Sequence, residues 1–129
     1  VTNLSISIGA INVLADNPTK LAGFWSEVTG GTTHPSHDDV YLAPDNPSGF
    51  AMFFRKSSTP LWTMAPSRTH VDLTVPYGQR ESTVERLIDL GAQGLWSITD
   101  EHPHVQWTTM KDPEGNLFCI AEHPPVDTY

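Results

Sequence analysis

The sequence predicts an α+β fold of two βαβββ modules, with one helix each packed outside a curved mixed sheet that curls around a shared cleft. Three observations predict it. A strand, a helix and a stop glycine occur in that order twice, at residues 4–30 and 69–91, and the stop glycines lie 91 − 30 = 61 residues apart. Residues 69–76 alternate strictly, with His70, Asp72 and Thr74 set against Val71, Leu73 and Val75, which gives a strand one polar and one apolar face. Each helix is followed by short β-prone runs broken by turn-forming residues. Two copies are too few for a solenoid and suit a pseudo-symmetric sheet.

The first module spans residues 4–55. Residues 4–14 are rich in β-branched side chains and partly alternate, as a strand covered on at least one face does. Asn17 is placed to cap a helix with Pro18 at its first position, and Leu21, Phe24, Trp25 and Val28 follow at the spacing of one apolar stripe. Gly30 ends that helix as a left-handed cap. Strands follow at residues 39–42 and 49–55, separated by the turn-forming residues 43–49. Residues 56–68, with prolines and serines, connect to the second module at 69–121. There a helix is expected over 79–90, with Val84, Leu87 and Ile88 on its core face, then strands near 94–99, 105–111 and 117–121. The turn at Asp112-Pro113-Glu114-Gly115-Asn116 precedes the last of these. Residues 122–129 read as a loose tail.

A chain of 129 residues is one domain whose halves depend on each other, because a half of about 60 residues is marginal alone. Seven Lys and Arg against 15 Asp and Glu give a net charge of −8, a field that repels phosphate backbones and anionic lipid. Nucleic acid and membrane are therefore not expected partners. No apolar run approaches the about 18 residues a membrane span needs, and the first residues lack the basic region of a secretory signal, so a cytoplasmic protein is expected. The single cysteine, Cys119, excludes an internal disulfide and fits a reducing compartment.

No glycine-rich phosphate loop, catalytic triad motif or Cys-x-x-Cys pair is present. The best polar constellation is Arg68, His70 and Asp72, three alternate residues of one strand, each about 7 Å from the next. On a cleft-lining face, His70 serves as acid or base, Asp72 fixes its tautomer, and Arg68 holds an anionic group. The same three residues also suit a buried network that specifies strand pairing. Trp25 lies on the helix stripe and is core, whereas Trp107, Trp62 and Phe53 are candidates for an aromatic ligand surface. The histidines at 34 and 37, and at 102 and 104, fall in turn-rich stretches without partners at zinc-site spacing. Cys119 reads as a small buried apolar residue or as a thiol facing the cleft.

Several of these pieces, taken in order, resemble a known family: Ala15-Asp16 with Phe24-Trp25 before Gly30, the run from Arg68 to Leu73, Leu90-Gly91-Ala92, and the run from Asp112 to Cys119. Together they resemble the glyoxalase-like branch of the vicinal oxygen chelate superfamily, which also holds glyoxalase I, extradiol dioxygenases and bleomycin resistance proteins. The resemblance implies a U-shaped, partly closed barrel, a homodimer, and, in metal-using members, a divalent ion held by the first and last strands of both modules. Carried over, His70 fits the first-strand position of module two. Gly9 stands at its counterpart in module one, with Ser7 or Ile11 two residues away. Cys119 replaces the last-strand glutamate, and residues 51–54 offer only apolar side chains. The expectation is a protein that binds a small apolar or aromatic molecule over a floor including His70 and Asp72, without a metal cofactor. Should a divalent metal be used, His70 and Glu122 are the expected ligands. The alternative is an enzyme of the superfamily, a lyase, isomerase or dioxygenase, either metal-dependent or using His70 and Asp72 as acid and base.

Overall fold

The computed structural model describes residues 8, 10–58 and 69–125. Two compact units divide the chain, Val1–Met64 and Ala65–Tyr129, and each builds its own four-stranded mixed sheet with a flanking helix. Among the described residues no helix is long and apolar enough to cross a membrane.

The first unit runs β1 (Ile11–Ala15), α1 (Pro18–Thr29), β2 (Thr32–Ser36), β3 (Asp39–Ala43) and β4 (Met52–Lys56), in the sheet order β1-β4-β3-β2. β1 pairs with β4 in parallel and the remaining pairs are antiparallel. The Asn17 side chain accepts a hydrogen bond from the Lys20 N–H at 3.1 Å, Pro18 opens α1, and Gly30 closes it at φ 77°. Pro18, Leu21, Ala22, Phe24 and Trp25 are buried on α1, Val28 is half-buried, and alternate residues Val40, Leu42, Met52 and Phe54 supply the buried face of the sheet.

β2 occupies a stretch in which no strand was expected. All five of its residues are exposed, so no apolar face marks it in the sequence, and Pro35 is tolerated because the strand lies at the sheet edge. A two-residue turn joins β2 to β3, with His37 at φ 58°. His34, read from the sequence as a loop residue, therefore sits in a strand.

The second unit runs β5 (Val71–Thr74), α2 (Arg80–Asp89), β6 (Gln93–Ile98), β7 (Gln106–Lys111) and β8 (Leu117–Glu122), in the order β5-β8-β7-β6. β5 and β8 are parallel, and β8, β7 and β6 are antiparallel. The β7–β8 turn is self-contained. The Asp112 carboxylate accepts from the backbone N–H of Glu114 and Asn116 and from the Asn116 amide, while Gly115 takes φ 87°.

α2 packs differently from α1. Only Arg80 and Leu87 are buried on it, and Ile88, expected on the core face, is 48% exposed. Ile88 follows Leu87 by one residue, about 100° around the helix, and α2 buries a narrower face than α1, where the neighbours Phe24 and Trp25 are both covered. Polar contacts replace the missing apolar stripe. The Glu122 carboxylate, on the helix side of β8, accepts from the Arg80 backbone N–H at 3.0 Å and lies 3.9 Å from the guanidinium Nε. The guanidinium donates to Thr108 Oγ1 at 2.7 Å, and that oxygen lies 2.8 Å from Ser97 Oγ. Gln79 at the N-cap position makes no side-chain capping bond, so a carboxylate from a distant strand caps α2 and offsets its dipole. Replacing Glu122 by Ala leaves a buried guanidinium without this partner. The expected loss is about 3 kcal/mol of unfolding free energy, read by denaturant titration.

Candidate functional site

Sheet register assembles the site on the face of the second sheet that turns away from α2. Asp72 of β5 lies opposite Cys119 of β8, Cys119 opposite Thr109 of β7, and Thr109 opposite Trp96 of β6, so one residue from each strand joins a single row. His70 immediately precedes β5 and is two residues from Asp72, which puts it on the same face. Ala121 and Trp107 form the next row. The intervening residues Phe118, Ile120 and Met110 are fully buried on the opposite face. Along the row opens a cavity of about 520 Å³, with His70, Asp72, Cys119 and Thr109 at its polar edge and Trp96, Trp107, Val105 and Leu117 among its apolar walls.

His70 Nε2 lies 3.1 Å from Asp72 Oδ1, closer than the spacing of two alternate strand residues, because both side chains lean toward each other. The Cys119 sulfur joins them, with one donor atom from each residue falling within 4.8 Å of the others. His70 and Asp72 are solvent-exposed, and Cys119 is buried. Thr109 Oγ1 lies 3.4 Å from the sulfur. Burial pushes the Cys119 thiol above its ordinary range, the Asp72 carboxylate pushes it the same way, and the Thr109 contact partly opposes them.

The donor chemistry fits a divalent ion. A tetrahedral ion with bonds of about 2.0–2.3 Å needs its ligand atoms about 3.3–3.8 Å apart, and the observed atoms, all within 4.8 Å of one another, reach that by side-chain shifts of about an ångström. Three protein donors at the edge of an open cavity also leave a coordination position free, as sites that handle a substrate do. At the family positions of the two modules the sequence offers His70 as the clear donor, whereas these three come from adjacent strands of one module.

The other expected residues are distributed as follows. Trp107 lines the cavity, and His102 stacks on it with ring centroids 5.8 Å apart and planes at 24°. Phe53 belongs to the first unit, where it pairs edge-on with Tyr41 at 6.1 Å and lies under Arg55 at 5.7 Å; it is not among the residues lining this cavity. Glu122 stands on the opposite face of β8, bound to Arg80, so the pair His70 and Glu122 is not brought together. Arg68 and Trp62 lie outside the described residues. Sequence reasoning missed Thr109 altogether and did not single out Trp96 as a wall. Trp96 is exposed and Thr109 is buried, so no shared sequence pattern marks them, and they become legible once the register with Cys119 is known.

Residues 10–121 match the family model of the glyoxalase-like domain. The chain belongs to this family. Solved structures with the glyoxalase-like architecture superpose over most of it. A glyoxalase/bleomycin resistance protein/dioxygenase family enzyme from Burkholderia phytofirmans PsJN matches with a TM-score of 0.75 at 15% identity, covering 90% of this chain and 98% of that one. The fosfomycin resistance protein FosX from Listeria monocytogenes matches with a TM-score of 0.76 at 11% identity, covering 94% of this chain and 96% of that one. The same Listeria protein, in complex with Mn(II) and sulfate, matches at 0.72 and 11% identity, covering 97% and 94%. At these identities the likeness shows the glyoxalase-like fold. No curated protein matches the sequence.

In metal-free protein, iodoacetamide should alkylate Cys119 slowly at neutral pH, because a raised pKa leaves little thiolate. The rate should rise at a higher pH than for an ordinary cysteine, and Asp72→Asn should shift that rise downward by removing the neighbouring charge.

Proposed function

We propose that this glyoxalase-like protein is an enzyme that holds a divalent metal ion with His70, Asp72 and Cys119 and acts on a small molecule lying in the adjoining cavity. The observation that carries the reading is the convergence of imidazole, carboxylate and thiol at the polar edge of a largely apolar cavity. The comparisons support it further, since the structurally similar Burkholderia protein is a glyoxalase/bleomycin resistance protein/dioxygenase family enzyme and the Listeria protein has been solved with Mn(II).

The residues divide the work. Trp96, Trp107, Val105 and Leu117 bind the apolar body of the ligand, which loses its hydration against them. The His102 ring stacked on Trp107 limits that indole's rotation. Thr109 orients the Cys119 sulfur. Asp72, through its contact with His70, sets which imidazole nitrogen is free to bind or to carry a proton. When bound, the metal supplies positive charge that polarises an oxygen of the ligand. A lyase, isomerase or dioxygenase reaction fits this division of labour. The resemblance carries a homodimer as the assembly, which light scattering reads directly.

A second reading rests on the 3.1 Å contact between His70 and Asp72. Without metal, the two form an acid–base pair beside an apolar binding surface.

Metal analysis after reconstitution separates the readings. The expected result is one divalent ion per chain in the wild type and none retained in His70→Ala or Asp72→Ala. Protein that stays metal-free under all reconstitution conditions, yet quenches its tryptophan fluorescence with flat aromatic compounds, would overturn the metal reading in favour of the second.

A further inference from the structure

We infer that the cluster selects a thiophilic, borderline divalent ion such as Zn2+ or Co2+ over the hard ions Mg2+ and Mn2+, with the Cys119 sulfur as the selecting ligand. This rests on the metal reading above and specifies its cofactor class.

Two of the three donors point this way. A thiolate prefers soft and borderline ions, imidazole suits zinc, cobalt, nickel and iron, and only the Asp72 carboxylate is a donor typical of Mg2+ or Mn2+. A hard ion needs an oxygen-rich, near-octahedral shell. Within this cluster protein oxygen comes from Asp72 alone, because the Thr109 hydroxyl is turned to the sulfur and Glu122 is held by Arg80 on the far face of β8. Burial sharpens the contrast. His70 and Asp72 lie at 45% and 69% side-chain exposure, so without the sulfur they are a weak two-point site open to water. Cys119 is the buried member, fixed between two strands by pairing with Asp72 on one side and Thr109 on the other. Thr109 can donate its O–H to a thiolate at this position and hold the sulfur toward the other two donors, which makes it a positioning residue.

The test uses the full chain, stripped of metal and titrated with Co2+. The expected spectrum combines the visible bands of a tetrahedral cobalt ion with a near-ultraviolet sulfur-to-cobalt charge-transfer band. Zn2+ should displace the cobalt, and excess Mg2+ or Mn2+ should not. Cys119→Ser should lose the charge-transfer band, and Thr109→Val should weaken cobalt binding by about 10–100-fold while keeping the band. Protection of wild-type Cys119 from iodoacetamide by Zn2+ but not by Mn2+ reads the same contact without any substitution. Cobalt bound without a charge-transfer band, unaffected by Cys119→Ser but lost in His70→Ala, would overturn the selectivity inference and leave the metal reading standing. Failure of every ion to bind would overturn both.

Discussion

Parallel pairing of β5 with β8 is the constraint from which the site follows. It places Asp72 opposite Cys119, and the antiparallel pairing of β8 with β7 then places Thr109 on the other side of the sulfur. Side chains alternate along a strand, so a slip of one residue in either ladder would turn the donors into the helix-facing layer and bring Val71 or Phe118 to the cavity. The apolar phase opposes such a slip. Phe118, Ile120 and Met110 are fully buried on the α2 side, and exposing them would sacrifice most of the second unit's core. Core packing thus fixes the alignment of the donors without touching them.

The two faces of β8 carry the two kinds of polar chemistry in this unit. On one face, Cys119 meets Asp72 and Thr109 at an open cavity. On the other, Glu122 meets Arg80, and the guanidinium reaches Thr108. The adjacent threonines of β7 have opposite duties, since Thr108 satisfies a buried cation and Thr109 contacts a thiol. Glu122 keeps α2 seated and His70 faces the cavity, so the two serve different sides of one sheet.

Much of the fold was legible because it rests on local chemistry: the Asn17 cap, the stripe from Leu21 to Trp25, the stop at Gly30, and the period of two from His70 to Val75. β2 was not legible, since an exposed edge strand containing Pro35 has no apolar phase to read. Ile88 was misplaced because a stripe containing both Leu87 and Ile88 is wider than the surface α2 buries. At the site, His70 and Asp72 were visible as neighbours on one strand. Cys119 was placed by the resemblance at the last-strand family position, but its pairing with Asp72, 47 residues away along the chain (119 − 72), leaves no mark in the spacing of either residue. The family position on the last strand falls on Cys119; Glu122, three residues further, belongs by strand alternation to the opposite face with Phe118 and Ile120, and the structure places it there.

The unequal seating of the two helices has a dynamic consequence. α1 is anchored by five buried residues, whereas α2 is anchored by Leu87 and a charged clasp. Detaching α2 would uncover Phe118, Ile120 and Met110 together with Leu87, so its opening is tied to loss of the second unit's core although the helix itself carries little apolar surface. The fastening between Arg80 and Glu122 is then what keeps that lid closed, on the far side of the strands that carry the donor cluster.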